Sequence, residues 1–181
     1  MASSYVIDTP VGATPVSQTD TVQRFDLGIE ARGVDRQTGK SSVNVGAGVF
    51  VYARGSNVTA AGQFVHLSQS IGGGGQSAVL LASANSTCFW PIGVAAGNLS
   101  ATNVFGWVQV VGVCDYALVS NTSVAANAYI ALASTAGQVG SVTALGSRIA
   151  GIAVPVSFTS SQTSLTVLLN RPMIIGITAS N

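Results

Sequence analysis

VFGWVQVVGVC, running from Val104 to Cys114, is the stretch on which the fold turns. Alternation places Phe105, Trp107, Gln109 and Val111 on one face of an extended segment, and Gly106, Val108, Val110 and Gly112 on the other. That is the period of two that a β-strand imposes. A buried strand of a sandwich has this pattern. Gln109 alone sits awkwardly, because an amide among aromatic rings needs a hydrogen-bond partner or a subunit boundary. Phe105, Trp107 and Gln109 are therefore expected in the core or, failing that, in a subunit interface.

The same period recurs outward from this stretch. RFDLGIEAR (Arg24–Arg32) sets Phe25, Leu27, Ile29 and Ala31 against Arg24, Asp26, Glu30 and Arg32. It predicts a half-buried strand with a charged outer face, followed by an exposed turn in GVDRQTGKSS. VFVYAR (49–54) and QFVHL (63–67) are expected as strands joined by GSNVTAAG, a connection of hairpin length. Further strands are expected in AVLLA (78–82), TCFW (87–90), YALV (116–119) as a continuation of the opening stretch, and AYIALA (128–133). RIAGIAVPV (148–156), SLTVLLN (164–170) and MIIGI (173–177) complete the set. No long segment repeats apolar residues at helical spacing. Many short strands at turn spacing define an all-β protein, a single compact β-sandwich or β-barrel. Residues 1–22, with Pro10 and Pro15 and few large apolar groups, are expected as an extended N-terminal arm, and 23–181 as one β domain.

Composition narrows the class of function. Of 181 residues 48% are apolar but only 7% charged, against roughly 25% charged in an ordinary soluble domain. A formal charge of +1 gives little protection against self-association. Such a surface suits a subunit that other subunits cover. Ten of the thirteen charged residues lie between Asp8 and Arg54, with both signs mixed. No basic patch for nucleic acid is present. MASSYVIDTP lacks the basic and apolar regions of a secretory peptide, and no run of 18 apolar residues occurs. Cys88 and Cys114 are expected as small core residues of a protein made in a reducing cytoplasm.

Chemistry-bearing arrangements are scarce. SIGGGGQS (70–77) lacks the lysine that a phosphate-cradling loop requires, so it reads as a flexible loop or tight turn. The single histidine, His66, falls in an inferred strand and has no G-x-S-x-G elbow to serve. No Cys or His pair has metal-ligand spacing. Asp20, Asp26, Glu30 and Asp35 alternate with arginines, which favours ion pairing over calcium. The expectation is a non-enzyme with no cofactor and no metal. Trp90, Trp107, Tyr116 and Tyr129 are the residues available to stack a sugar, yet aromatic content is only 7%.

In order, FGWVQVVGV, VAANAYIALASTAGQV and LGSRIAGIAV resemble the C-terminal half of head decoration (capsid cement) proteins of tailed bacteriophages. Gly106-Trp107-Val108-Gln109, Thr135-Ala136-Gly137 and Gly151-Ile152-Ala153 carry the likeness. LGIEARGVD and VFVYARGSNVTAAGQFVHLS are similar to the N-terminal half, so the resemblance spans roughly residues 24–156. The low charge after Arg54 and the GGGG loop depart from that pattern. The resemblance implies a non-enzymatic virion protein that binds across neighbouring major capsid subunits on the capsid exterior. It implies a homotrimer, assembled in the host bacterial cytoplasm, that contacts neither nucleic acid nor membrane. Arg24, Asp26, Glu30, Arg32, Asp35, Arg36, Lys40 and Arg54 are the expected shell or subunit contacts, since polar rim contacts fix register. The rival reading is a β-sandwich recognition module, sugar-binding or tail-associated. A small-virus shell subunit is disfavoured because no basic arm is present to neutralise nucleic acid.

Overall fold

A computed structural model describes residues 5–7, 16–35, 48–69, 75–81, 91–120, 123–141, 148–159 and 163–175. Among them there is no helix. The strands are β1 (Tyr5–Ile7), β2 (Glu30–Asp35), β3 (Gly48–Ser56), β4 (Phe64–Gln69), β5 (Gln76–Leu80) and β6 (Ile92–Ala95). Then follow β7 (Phe105–Leu118), β8 (Ile130–Leu132), β9 (Val139–Ser141), β10 (Arg148–Ala153) and β11 (Ser164–Ile175). All eleven join in the order β1-β2-β3-β5-β4-β6-β7-β11-β10-β8-β9. The all-β expectation is met, and the body is a closed barrel with additional strands.

Closure comes from β3, which pairs with β7 as well as with β5. Five strands, β3-β5-β4-β6-β7, therefore form a ring. The ring is filled by its own inward side chains, among them Val51, Ala53, Val65, Leu67, Ala78, Val108 and Val110. Small and β-branched residues dominate there because a five-strand barrel encloses little space.

The outside of the barrel is covered on two flanks. On the β3–β7 face, Phe50, Tyr52, Phe105 and Trp107 form an aromatic cluster with Phe25 of the irregular segment that precedes β2. Tyr52 and Trp107 lie 5.0 Å apart by ring centres, and Phe25 meets Tyr52 edge-on at 5.2 Å. The strands that continue from the ring, β7-β11-β10-β8-β9, are termed the second sheet, and on the β4–β6 face Phe64, Ile92 and Val94 pack against its Cys114, Ile130, Ile149, Val167, Leu169 and Ile174. That sheet curls back on itself, since Val119 bridges Val139 of β9.

β7 belongs to both bodies. Its first half pairs with β3 and β6, and its second half, from Val111 on, with β11. Gly112 has φ +100°, and the β3 register slips where Val49 faces Val111 but Phe50 faces Gln109. Gln109 pins this crossover. Its Nε2 donates to the carbonyls of Val113 at 2.9 Å and Val111 at 3.3 Å, and its Oε1 accepts from the Tyr116 hydroxyl at 3.0 Å. The awkward amide is fully buried and finds its partners within the chain. Trp107 and Phe105 are also buried in the chain's own core.

Several local expectations are corrected. RFDLGIEAR is a strand only from Glu30, because Gly28 at φ +91° turns the chain and leaves Ile29 outward. The following residues to Asp35 extend that strand, where a turn was expected. GSNVTAAG does not close a hairpin. β5 lies between β3 and β4, parallel to β3, because Val58 crosses the barrel end to bridge Leu99. SLTVLLN and the first three residues of MIIGI form one strand, β11, that carries Pro172 past a bend at Arg171, φ +44°; residues 176–177 lie outside the described residues. Within the segment expected as an arm, Tyr5–Ile7 pairs with β2, Val16 is buried, and Asp20 bridges Phe105. TCFW, with Cys88 and Trp90, and the glycines 72–74 lie outside the described residues.

Candidate functional site

The two flanks meet at one point on the surface. Glu30 opens β2, at the end of the aromatic flank; Arg171 bends out of β11, in the aliphatic one. Opposite that bend, Gly151 at φ +76° has its backbone against the Asn170 carbonyl, where a Cβ would collide. With its backbone turned there, Arg171 forms a bidentate pair with Glu30, at 2.8 and 2.9 Å. The hydrogen-bonded guanidinium holds the Glu30 carboxyl below the usual carboxylate range, and the carboxylate raises Arg171 in turn.

Exposed apolar side chains accompany this pair, with Asn170 and Arg32 exposed beside it. Leu168, Met173 and Ile175 are about half exposed on the outer side of β11, and Ile29 lies near the end of β2 with similar exposure. Leu168 is flanked across the sheet by Val113 of β7 and Ala153 of β10. Ile175 faces Arg148, whose guanidinium lies 4.3 Å above the exposed ring of Tyr129. Arg171 is the one charge carried by β11, and Glu30 neutralises it.

The charged residues expected at a contact fall into three settings. Arg24 is tied to Asp20 at 2.7 Å, and its backbone N–H donates to the Tyr52 hydroxyl at 3.3 Å, so it braces the aromatic flank. Arg54 is half-buried with its guanidinium 5.9 Å over Phe105. Asp26, Glu30 and Arg32 are exposed, and Glu30 and Arg32 share the outer face of β2. The side chain of Asp35, and all of Arg36 and Lys40, lie outside the described residues. Sequence reasoning did not single out Leu168, Arg171, Met173 or Ile175. The available signal was their crowding: SLTVLLNRPMII is apolar in both registers, more than one buried face consumes.

The remaining reactive groups are withdrawn from solvent. Burial pushes the Cys114 thiol up to about 12, so it stays protonated and inert. His66 is buried between Val79 of β5 and Ile92 of β6 with neither ring nitrogen hydrogen-bonded, and burial lowers its pKa. Among the described residues no three of His, Cys, Asp and Glu gather to hold a metal ion. Of the aromatics considered for sugar stacking, Trp107 is buried, Tyr116 is half-buried and bound to Gln109, and Tyr129 lies under Arg148. No family model, curated protein or solved structure matches the chain.

Proposed function

We propose that this protein is a non-enzymatic component of a tailed-phage head, which decorates the capsid and binds across neighbouring major capsid subunits. The observation that carries the reading is the apolar row Leu168, Met173 and Ile175, exposed on a strand whose only charge is neutralised. Apolar rows of this kind are covered in a working assembly. The residue order that resembles capsid cement proteins supports the reading from the sequence side. Two further features favour it. The outermost strands, β1 and β9, are three residues each, too short to template uncontrolled pairing at high copy number. The low net charge lets many copies sit close together. On this reading Glu30 and Arg32 form the polar rim beside the apolar row, and self-association proceeds through closed symmetry as a trimer.

Copy number in purified particles tests the proposal. A simple molar ratio to the major shell protein is the expected result, whereas a few copies per particle would move the chain to the tail. The contact is tested by Leu168→Asp combined with Ile175→Asp. Both side chains already face solvent, so the fold is expected to persist while occupancy on heads falls at least tenfold. Full occupancy by this variant would overturn the placement.

A further inference from the structure

The barrel has one filled end and one hollow end. At the filled end Leu99 and Val58 are buried and exchange backbone hydrogen bonds of 2.8 and 3.2 Å across the opening. At the other end, where β3 and β6 begin, a cavity of about 230 Å³ remains. Its walls include Val51, Leu67 and Val110 from the barrel interior, with Ile92 and Met173. The Glu30–Arg171 pair stands at its rim.

We propose that this cavity is a binding site for a small neutral molecule, one aromatic ring or a short aliphatic chain, that carries a single hydrogen-bond donor. Barrel mouths are a favoured place for such sites. Size sets the first limit: an apolar cavity of ~150 Å³ takes up benzene, so this one holds roughly nine non-hydrogen atoms. Charge sets the second, because Glu30 and Arg171 neutralise each other and leave the mouth without net charge to offer an ion. Polarity sets the third. Gln76 lines the cavity, and its Oε1 is buried with no hydrogen-bond partner. A donor brought in beside it relieves that cost after a turn of the soft terminal torsion. Gly28 leaves room for the turn, since even a Cβ there would stand 3.5 Å from the Gln76 amide carbon. The Glu30–Arg171 pair acts as a clasp between the two flanks, and its separation widens the entrance. The inference rests on the cavity and its lining and is independent of any role in a capsid.

The experiment titrates the full chain with indole and phenol, and with N-methylindole and toluene as donor-free counterparts. Thermal unfolding and the methyl signal of Met173 are the readouts. The chain holds two methionines, so Met173 gives one of two methionine methyl resonances. Saturable shifts of that signal are expected with indole and phenol, with Tm raised about 3–6 °C at ten times Kd. The donor-free pair is expected to bind about tenfold more weakly, and Gln76→Leu to erase the difference. Leu67→Trp, or Val110→Phe should that variant fail to fold, fills the cavity and is expected to abolish both shifts. Absence of saturable binding by all four probes, or binding unchanged in a folded cavity-filled variant, would overturn the site. Equal affinity for the donor-free pair would overturn the role of Gln76.

Discussion

The two flanks of the barrel solve the same problem with different materials. On the β3–β7 face the cover is an irregular segment, residues 16–29, held by rings and by specific polar contacts. Asp20 serves Arg24 through its side chain and Phe105 through backbone, and Tyr52 bonds both Asp20 and the Arg24 backbone. On the β4–β6 face the cover is a regular sheet whose contacts are aliphatic and non-directional. A segment without strand pairing needs anchors, so charge and aromatic rings concentrate there. A paired sheet satisfies its own backbone and needs only apolar bulk.

The comparison is most easily broken at the aromatic flank. Trp107→Ala is expected to cost about 3–5 kcal/mol in denaturant unfolding, because a buried indole is removed and the Phe25 and Tyr52 rings both lose a neighbour. A loss under 1 kcal/mol would mean that the irregular cover does not depend on its rings. Next comes the crossover that the flanks share. Gln109→Leu leaves the Tyr116 hydroxyl and the Val111 and Val113 carbonyls without this partner, and a loss of about 2–3 kcal/mol is expected. Ile130→Val in the aliphatic flank is expected to cost only about 1 kcal/mol, as a deleted methylene group does in a core that packs by bulk. Glu30→Gln removes an exposed pair and is expected to cost less than about 1 kcal/mol, with the difference shrinking in high salt.

The smallest effect is a slope. His66 has a pKa in the fold below its ordinary 6.5, so the unfolded chain binds the extra proton first as pH falls. Its contribution is full above pH 6.5, is lost as pH drops through that value, and levels off below the folded pKa. His66→Leu is expected to flatten stability across this window. An unchanged slope would place the titration elsewhere.

Most strands were legible because one face or both carried a clear period of two. Those misread each have a local physical cause. Gly28 breaks an alternation that looks unbroken in letters, because only its backbone angle departs. Pro172 seems to end a strand, yet Arg171 has already bent the chain so that β11 continues past it. β6, IGVA, is buried at every position and shows no alternation at all. Its Gly93 exists for closeness, since a Cβ there would meet the Val108 side chain and the Gln109 carbonyl. The proposed contact surface was only half legible. Glu30 stood out as a charge, but its partner Arg171 is 141 residues away and is brought near by barrel closure. The hollow mouth was invisible for the same reason, being assembled from seven separate strands or their ends.

The shared strand β7 has a mechanical meaning. A load placed on the second sheet reaches the barrel lengthwise along one fourteen-residue strand. Its hydrogen bonds to β3 and β11 are then stretched side by side in shear, so they must fail together rather than peel one at a time. A body joined in this way is expected to transmit strain instead of absorbing it, with its two halves yielding in a single event.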